Sequence, residues 1–239
     1  MSSAATNDTA SDHDRDWSGL QRAGFAVVLF TAAATLGFAA FTGPQEPLTA
    51  IAADSVEQRT EPATRGGGLV INGCAIEPGT QCRDADLSGA NLQRADLHNA
   101  DLSGANLAGA RLIPAGLYSA NLASAKLTGA DLTDADLLGA KLQGADLVRA
   151  DLTGGNLGGA ILYRADLTGA NLHRADLTYA DLHRADLTGA NLERADLRGA
   201  NLIAAELDGA NLTGARFRRT IMPDESWCTG SAEDCSWQP

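Results

Sequence analysis

The sequence predicts an all-β solenoid, a four-sided parallel β-helix of about seven coils, preceded by one N-terminal transmembrane helix. From Ala85 to Arg219 the chain consists of 27 consecutive five-residue units without an insertion or a deletion. Leucine stands at the centre of 26 units and Phe217 at the centre of the last, with alanine two positions earlier almost everywhere. These two observations predict the solenoid. A third, the absence of charge between Arg22 and Glu46, predicts the helix.

The residues before the repeat divide into three segments by composition. Residues 1–22 are rich in Ser, Ala, Thr and Asp without apolar periodicity, which predicts a disordered tail. Residues 23–43 carry no charge and just reach the roughly 20 apolar residues that span a bilayer, which predicts a transmembrane helix or signal segment. Residues 44–68 contain Pro, Thr, Ala, Glu and a run of three glycines, which predicts a flexible linker.

Two interpretations of residues 23–43 stay open. The segment is either a retained membrane anchor or a signal peptide that is removed. A cleavage site of the A-x-A type exists at Ala50–Ala52, but it lies beyond Pro44 and Pro47, far from the apolar run. This distance favours the retained anchor.

The arginines that flank the apolar run predict its orientation. Arg15 and Arg22 precede it, whereas Arg59 alone follows it within a comparable distance. The positive-inside rule therefore places the N-terminus in the cytoplasm and the repeat outside. We expect a single-pass protein of the cell membrane with an extracytoplasmic repeat, and secretion after signal cleavage is the alternative.

All four cysteines lie outside the repeat, with Cys74 and Cys82 before it and Cys228 and Cys235 after it. Each pair encloses a short segment, so a local disulfide at each end is expected, which would indicate an oxidising compartment. Buried free thiols are the alternative. A metal site is disfavoured because seven and six residues separate the cysteines, more than zinc sites favour, and no histidine is nearby.

Both ends of the repeat predict caps. Residues 69–84 form the N-terminal cap, in which Cys82 keeps the repeat register and Glu77 breaks it. Residues 225–239 form a C-terminal cap or tail. Their two tryptophans, Trp227 and Trp237, suit a lid over the last leucine layer.

A period of five fits neither of the ordinary secondary structures. On an α-helix, five residues turn about 140° beyond a full circle, so the leucines would form no stripe. On a flat strand, residues five apart point to opposite faces. All leucines face one interior only if the backbone turns a corner in each unit. Residues 85–224 therefore predict a coil whose turns are hydrogen-bonded at a spacing of about 4.8 Å.

Arginines at the ends of units indicate the number of sides. They recur every ten residues at Arg164, Arg174, Arg184 and Arg194. Ten divides a coil of 20 residues but not one of 15, which favours four sides. Leucine and alanine then face inward. The residue between them, usually Asp or Asn, and the two residues after the leucine face outward, where Gly, Ser and Thr suit tight turns.

The repeat strongly resembles the pentapeptide-repeat family, whose consensus A-[D/N]-L-x-x it follows over residues 85–219. The resemblance implies a right-handed quadrilateral β-helix with central Leu or Phe and small residues inside. That family is functionally diverse, and its best-understood soluble members resemble DNA mimics that bind DNA gyrase. Among the departures from this consensus, Pro114, Gly116, Gly155 and Ile161 predict two local irregularities.

Charge and motifs predict a protein without catalysis, cofactor or metal. The formal charge is −12, of which residues 85–219 carry only −3. An acidic balance disfavours nucleic-acid binding. His173 and His183 are two units apart, on opposite sides of a square coil, so they share no metal. The sequence contains no phosphate-binding loop and no nucleophile beside a base.

The remaining candidates for function are apolar residues that face outward. Tyr118 and Leu138 are 20 residues apart and form one column, while Tyr163, His183 and Ile203 form another. Either these are isolated exposed side chains, as is common, or one column is a docking strip for a partner.

The sequence therefore favours a non-enzymatic, membrane-anchored scaffold or protein-interaction module with an unknown protein partner and an unknown oligomeric state. The alternative is a DNA-mimicking, gyrase-protecting protein that faces the cytosol. An inert structural spacer is a third possibility.

Overall fold

The computed structural model describes residues 68–230 of the 239-residue chain. Two short antiparallel hairpins flank the repeat. The first pairs β1 (Val70–Ile71) with β2 (Cys74–Ala75), and the second pairs β3 (Thr220–Ile221) with β4 (Trp227–Cys228). Between them every unit contributes one residue to a parallel bridge.

Each parallel bridge joins residues 20 apart, from Gln81–Asp101 to Asn201–Ile221. Four units of five residues therefore make one coil, which is the four-sided, all-β solenoid that the sequence predicts. The handedness of the coil stays a prediction. We number the four faces by their first bridges, and each face continues at intervals of 20: face 1 from Gln81–Asp101, face 2 from Asp86–Asn106, face 3 from Asn91–Arg111 and face 4 from Asp96–Gly116.

Leucine and alanine fill the interior. The central leucines from Leu87 to Leu202 are at most 1% exposed, and Phe217 and Met222 continue their stack. The alanine that precedes each leucine by two positions is also buried in nearly every unit. Burying a leucine side chain contributes roughly 1.5–3 kcal/mol, so this repeated layer is the main source of stability.

The same hydrogen-bonded turn forms the corner of every unit. The N–H of alanine donates to the C=O of the leucine three residues earlier, as Ala90 does to Leu87 at 3.1 Å. The last residue of the unit has a positive φ, for example 63° at Gly89 and 58° at Arg174. These are type II turns, which favour glycine at that position. Pro114 cannot adopt a positive φ, yet Ala115 still donates to Leu112 at 2.7 Å, and the coil register is kept.

Asp and Asn have a role that their outward position alone did not indicate. In all 20 units that carry one before the leucine, its Oδ1 accepts the N–H two residues later, at 2.9 Å from Thr178 to Asp176 and 3.4 Å from His98 to Asp96. The other four N–H groups of a unit donate to backbone carbonyls of neighbouring coils or of the turn. The Asp or Asn side chain therefore accepts a hydrogen bond from the one backbone N–H of each unit that has no backbone acceptor.

Asparagine adds a bond between coils. The Nδ2 of Asn171 donates to Oδ1 of Asp151 at 3.2 Å, one coil away. Stacking Asn on Asp thus replaces a repulsion between like charges with a hydrogen bond, and the same pattern recurs at Asn106, Asn121, Asn156 and Asn201.

A disulfide joins Cys74 and Cys82 at the N-terminal end, as expected. Both cysteines are buried, and Cys82 continues the central leucine stack. Cys228 is also disulfide-bonded, whereas Cys235 lies outside the described residues.

The lid expected from the tryptophans is not formed by Trp227, which is 64% exposed. Met222 and Cys228, each 1% exposed, close the core at that end instead, because the hairpin turns the indole outward. Leu212 stays partly exposed. Trp237 lies outside the described residues.

Within residues 68–230 no helix is long and apolar enough to cross a membrane. The predicted span at residues 23–43, with the tail before it and most of the linker after it, lies outside the described part of the chain.

Truncating Leu137 to Ala is expected to lower the free energy of unfolding by about 2–5 kcal/mol, because its neighbours above and below are fixed by the coil spacing and cannot close the cavity. Its sequence neighbour Leu138, 41% exposed, is the matched control, and Leu138→Ala should cost well under 1 kcal/mol. Urea unfolding measures both, and equal losses would contradict the assignment of the interior.

Candidate interaction surfaces

Face 1 carries the predicted column of Tyr163, His183 and Ile203. The rings of Tyr163 and His183 meet edge to face with centroids 5.5 Å apart. The guanidinium of Arg164 lies 5.1 Å from the centroid of the Tyr163 ring. Because the backbones of adjacent coils are bonded, as Arg184 N–H is to the Ile203 carbonyl at 3.0 Å, these side chains are held one coil apart.

Face 4 carries the other predicted column. Tyr118 and Leu138 are 46% and 41% exposed, and Ser119 N–H donates to the Leu138 carbonyl at 2.9 Å. The structure thus stacks each predicted column but places the two on different faces. They form two surfaces, not one.

Within the repeat, two exposed apolar residues were missed as surface candidates. Ile161, 39% exposed, occupies the Asp/Asn position beside Tyr163 and widens the face 1 column. Tyr179, 74% exposed, occupies a turn position with φ of 59°. A bulky residue where most units have glycine is the sequence signal that would have identified it.

The charge of the repeat is segregated by face, although its sum is small. Face 2 carries two cations, Lys126 and Arg149, against six carboxylates. The carboxylates are Asp86, Asp146, Asp166, Asp186, Glu206 and Asp208. Asp146 to Glu206 form an unbroken column at one-coil intervals. Averaging over the whole repeat hides this acidic face.

Hydrogen bonds from neighbouring side chains lower the pKa of two carboxylates, Asp101 and Asp196. The Ser103 hydroxyl, 2.7 Å away, and Arg83 Nε, 2.6 Å away, lower the pKa of Asp101 from 3.8 to about 2. Burial raises the pKa of Asp196, but hydrogen bonds from Arg198 outweigh it and the net direction is down. These pairs order the surface and create no reactive group.

Histidines form no cluster in the described part of the chain. His98 Nδ1 lies 2.6 Å from Asp96, while His173 and His183 lie on opposite faces, as expected. Among residues 68–230 no three His, Cys, Asp or Glu side chains are placed to hold a metal ion.

The family model for pentapeptide repeats matches residues 80–113, 117–154, 145–184 and 180–219, more than half of the chain. The chain belongs to the pentapeptide-repeat family. No curated protein matches its sequence.

The fold is shared with a solved structure of QnrB1. A trypsin-treated variant of QnrB1, a plasmid-mediated fluoroquinolone resistance protein, is 21% identical over 62% of this chain and 74% of its own, with a TM-score of 0.58. HetL, involved in heterocyst differentiation regulation in the cyanobacterium Nostoc sp. strain PCC 7120, is 32% identical over 63% and 90%, with a TM-score of 0.28. The similarity to QnrB1 supports the fold and nothing more specific.

The lowered pKa of Asp101 predicts a specific acid sensitivity. Because the folded pKa lies below 3.8, folding favours the carboxylate, so its stabilisation is complete above about pH 4 and is lost as the pH falls through about 2. Asp101→Asn should therefore be about 1–2 kcal/mol less stable at pH 5, a figure reduced for the solvent exposure of Arg83. Near pH 2 the two proteins should unfold at the same urea concentration. A deficit independent of pH would contradict the ionic cause.

Proposed function

We propose that this protein is a non-enzymatic scaffold, anchored by residues 23–43 to the cell membrane, that presents its repeat outside the cytoplasm to a protein partner. The observation that carries the proposal is the face 1 column, where Ile161, Tyr163 and Ile203 stand on a backbone whose spacing is fixed by interstrand bonds. A rigid surface loses little entropy on binding, and aromatic residues are favoured at interface centres.

Charge adds selectivity to this surface. Lys141, Arg164 and Arg184 flank the apolar side chains of face 1, and Asp181 is the one carboxylate among them. A partner with an apolar centre and an acidic rim would complement it.

The disulfide between Cys74 and Cys82 supports the extracytoplasmic placement. Disulfides persist in oxidising compartments and are rare in the cytosol. This agrees with the orientation that Arg15 and Arg22 predict, and the two arguments rest on different residues.

The partner hypothesis is tested by cross-linking the membrane-bound chain in its native cells and quantifying the partner protein that is retained with it. Tyr163→Ser with Ile203→Ser should lower retention about tenfold or more, because truncating a buried hot spot costs at least about 2 kcal/mol. Tyr118→Ser with Leu138→Ser, on face 4, is the matched control and should retain the partner. Equal retention by both double variants would exclude face 1.

One observation favours a second function, the DNA-mimicking, gyrase-protecting role. The acidic column of face 2 repeats carboxylates at regular intervals, as a mimic of phosphates would. Such a role requires the repeat to face the cytosol, so topology separates the two functions.

Topology is measured with a membrane-impermeant maleimide on intact cells. For an extracytoplasmic repeat we expect no labelling until an impermeant reductant opens the disulfides. Labelling of free thiols only after lysis would place the repeat inside and favour the gyrase function. A mass that lacks the first 52 residues would show signal cleavage instead of an anchor.

A further inference from the structure

The last unit of the repeat differs from all others in charge. Residues 215–219 carry Arg216, Arg218 and Arg219, with no acid. Arg216 occupies the Asp/Asn position of face 4, next to Asp196 of the preceding coil. Arginines are therefore concentrated at one end of face 4.

Asp196 forms ion pairs with Arg216 and with Arg198 of the preceding coil. Asp196 Oδ2 lies 2.7 Å from Nη2 of Arg198 and 3.2 Å from Nη1 of Arg216. Arg218 and Arg219 are exposed, and within residues 68–230 neither forms an ion pair. Two adjacent guanidinium groups are thus left available to an anion.

A backbone donor accompanies them. In units with Asp or Asn, that side chain accepts the N–H of the residue after the leucine or phenylalanine. Arg216 cannot accept it, and in the described part of the chain the N–H of Arg218 has no acceptor. Backbone N–H groups beside arginines are the donors that oxyanion sites combine.

An aromatic surface lies beside these donors. Tyr179 packs against Gly199 one coil away, so closely that a Cβ on Gly199 would lie 2.5 Å from Cδ1 of the ring. The tyrosine is nevertheless 74% exposed, so the ring is held in place and still open to solvent. Arg219 follows Gly199 by one coil in the same column.

These groups line one cavity of about 350 Å³, formed by Asp176, Thr178, Tyr179, Arg198, Gly199, Arg218 and Arg219. Its acid, Asp176, lies two coils from the level of Arg216, roughly 10 Å away along the axis. The cavity therefore has an aromatic wall, a cationic end and an acidic end, and the acidic end directs an anion to the arginines.

We propose that this cavity binds an aromatic oxyanion, a planar ring bearing a phosphate or carboxylate. The ring packs on Tyr179, while the oxyanion accepts hydrogen bonds from Arg218, Arg219 and the backbone N–H of Arg218. Arginine suits this role because its planar fork pairs with both oxygens of such a group. This ligand site is independent of the partner surface proposed for face 1.

Calorimetric titration of the 239-residue chain tests the site with phenyl phosphate, benzoate and inorganic phosphate. We expect the two aromatic probes to bind more tightly than inorganic phosphate, and their relative affinities to show which oxyanion is preferred. Arg218→Gln with Arg219→Gln should weaken binding of the aromatic probes at least tenfold, since it removes two charge-assisted contacts.

Two variants make the result specific. Arg174→Gln with Arg194→Gln removes the same charge from face 3 and should leave affinity within about twofold. Tyr179→Gly keeps the fold, because glycine is the usual residue at a positive φ, and should abolish the preference for aromatic probes over inorganic phosphate. Failure of the aromatic probes to bind, equal weakening by both arginine pairs, or an unchanged preference in Tyr179→Gly would overturn the proposal.

Discussion

The structure depends on one constraint. Each of the five backbone N–H groups in a five-residue unit needs a hydrogen-bond acceptor. In a typical unit the N–H groups of the Asp/Asn position, the leucine and the turn residue bond to neighbouring coils. The alanine N–H closes the turn, and the Asp or Asn side chain accepts the fifth. Since an unpaired buried amide is costly, this pairing binds each coil to its neighbours, and the bridges place the partners 20 residues apart.

The leucine period was sufficient to predict the solenoid from sequence, because only one backbone path brings every fifth residue to a common interior. The ten-residue spacing of Arg164 and its counterparts favoured four sides, and the bridges between residues 20 apart confirm that number. The role of Asp and Asn did not follow, because an outward polar residue looks like surface decoration until the turn is known. Once the corner after Asp176 is a type II turn, the Oδ1 of Asp176 lies beside the N–H of Thr178. The role of Asp176 is therefore to accept this hydrogen bond at the turn.

Charge shows the same difference between sequence and structure. Summed along the chain, the repeat is close to neutral, and that sum argues against an acidic mimic. The coil distributes consecutive units to four faces, so Asp146, Asp166 and Asp186 form one column although four units separate each pair. The electrostatic field that a partner meets is that of a face. Which charges share a face is set by the period of 20 residues and cannot be read from the total charge of the repeat.

The pattern of N–H hydrogen bonds also shows which units of this regular chain differ from the rest. A unit that lacks Asp or Asn leaves one amide without its usual acceptor, and several such units also present a large side chain. Gly116 precedes Tyr118, Ile161 precedes Tyr163, and Arg216 precedes Arg218. In each case the residue after the core side chain has an N–H without an acceptor in the described part of the chain, next to an exposed or partly exposed aromatic or cationic group. In a consensus unit every backbone N–H has an acceptor, either in a neighbouring coil, in the turn or on the Asp or Asn side chain. A unit that departs from the consensus loses about one hydrogen bond, on the order of 1 kcal/mol, and leaves one N–H donor without an acceptor among the described residues. Departures from the repeat are therefore the positions at which the otherwise uniform surface of the coil changes in shape and charge.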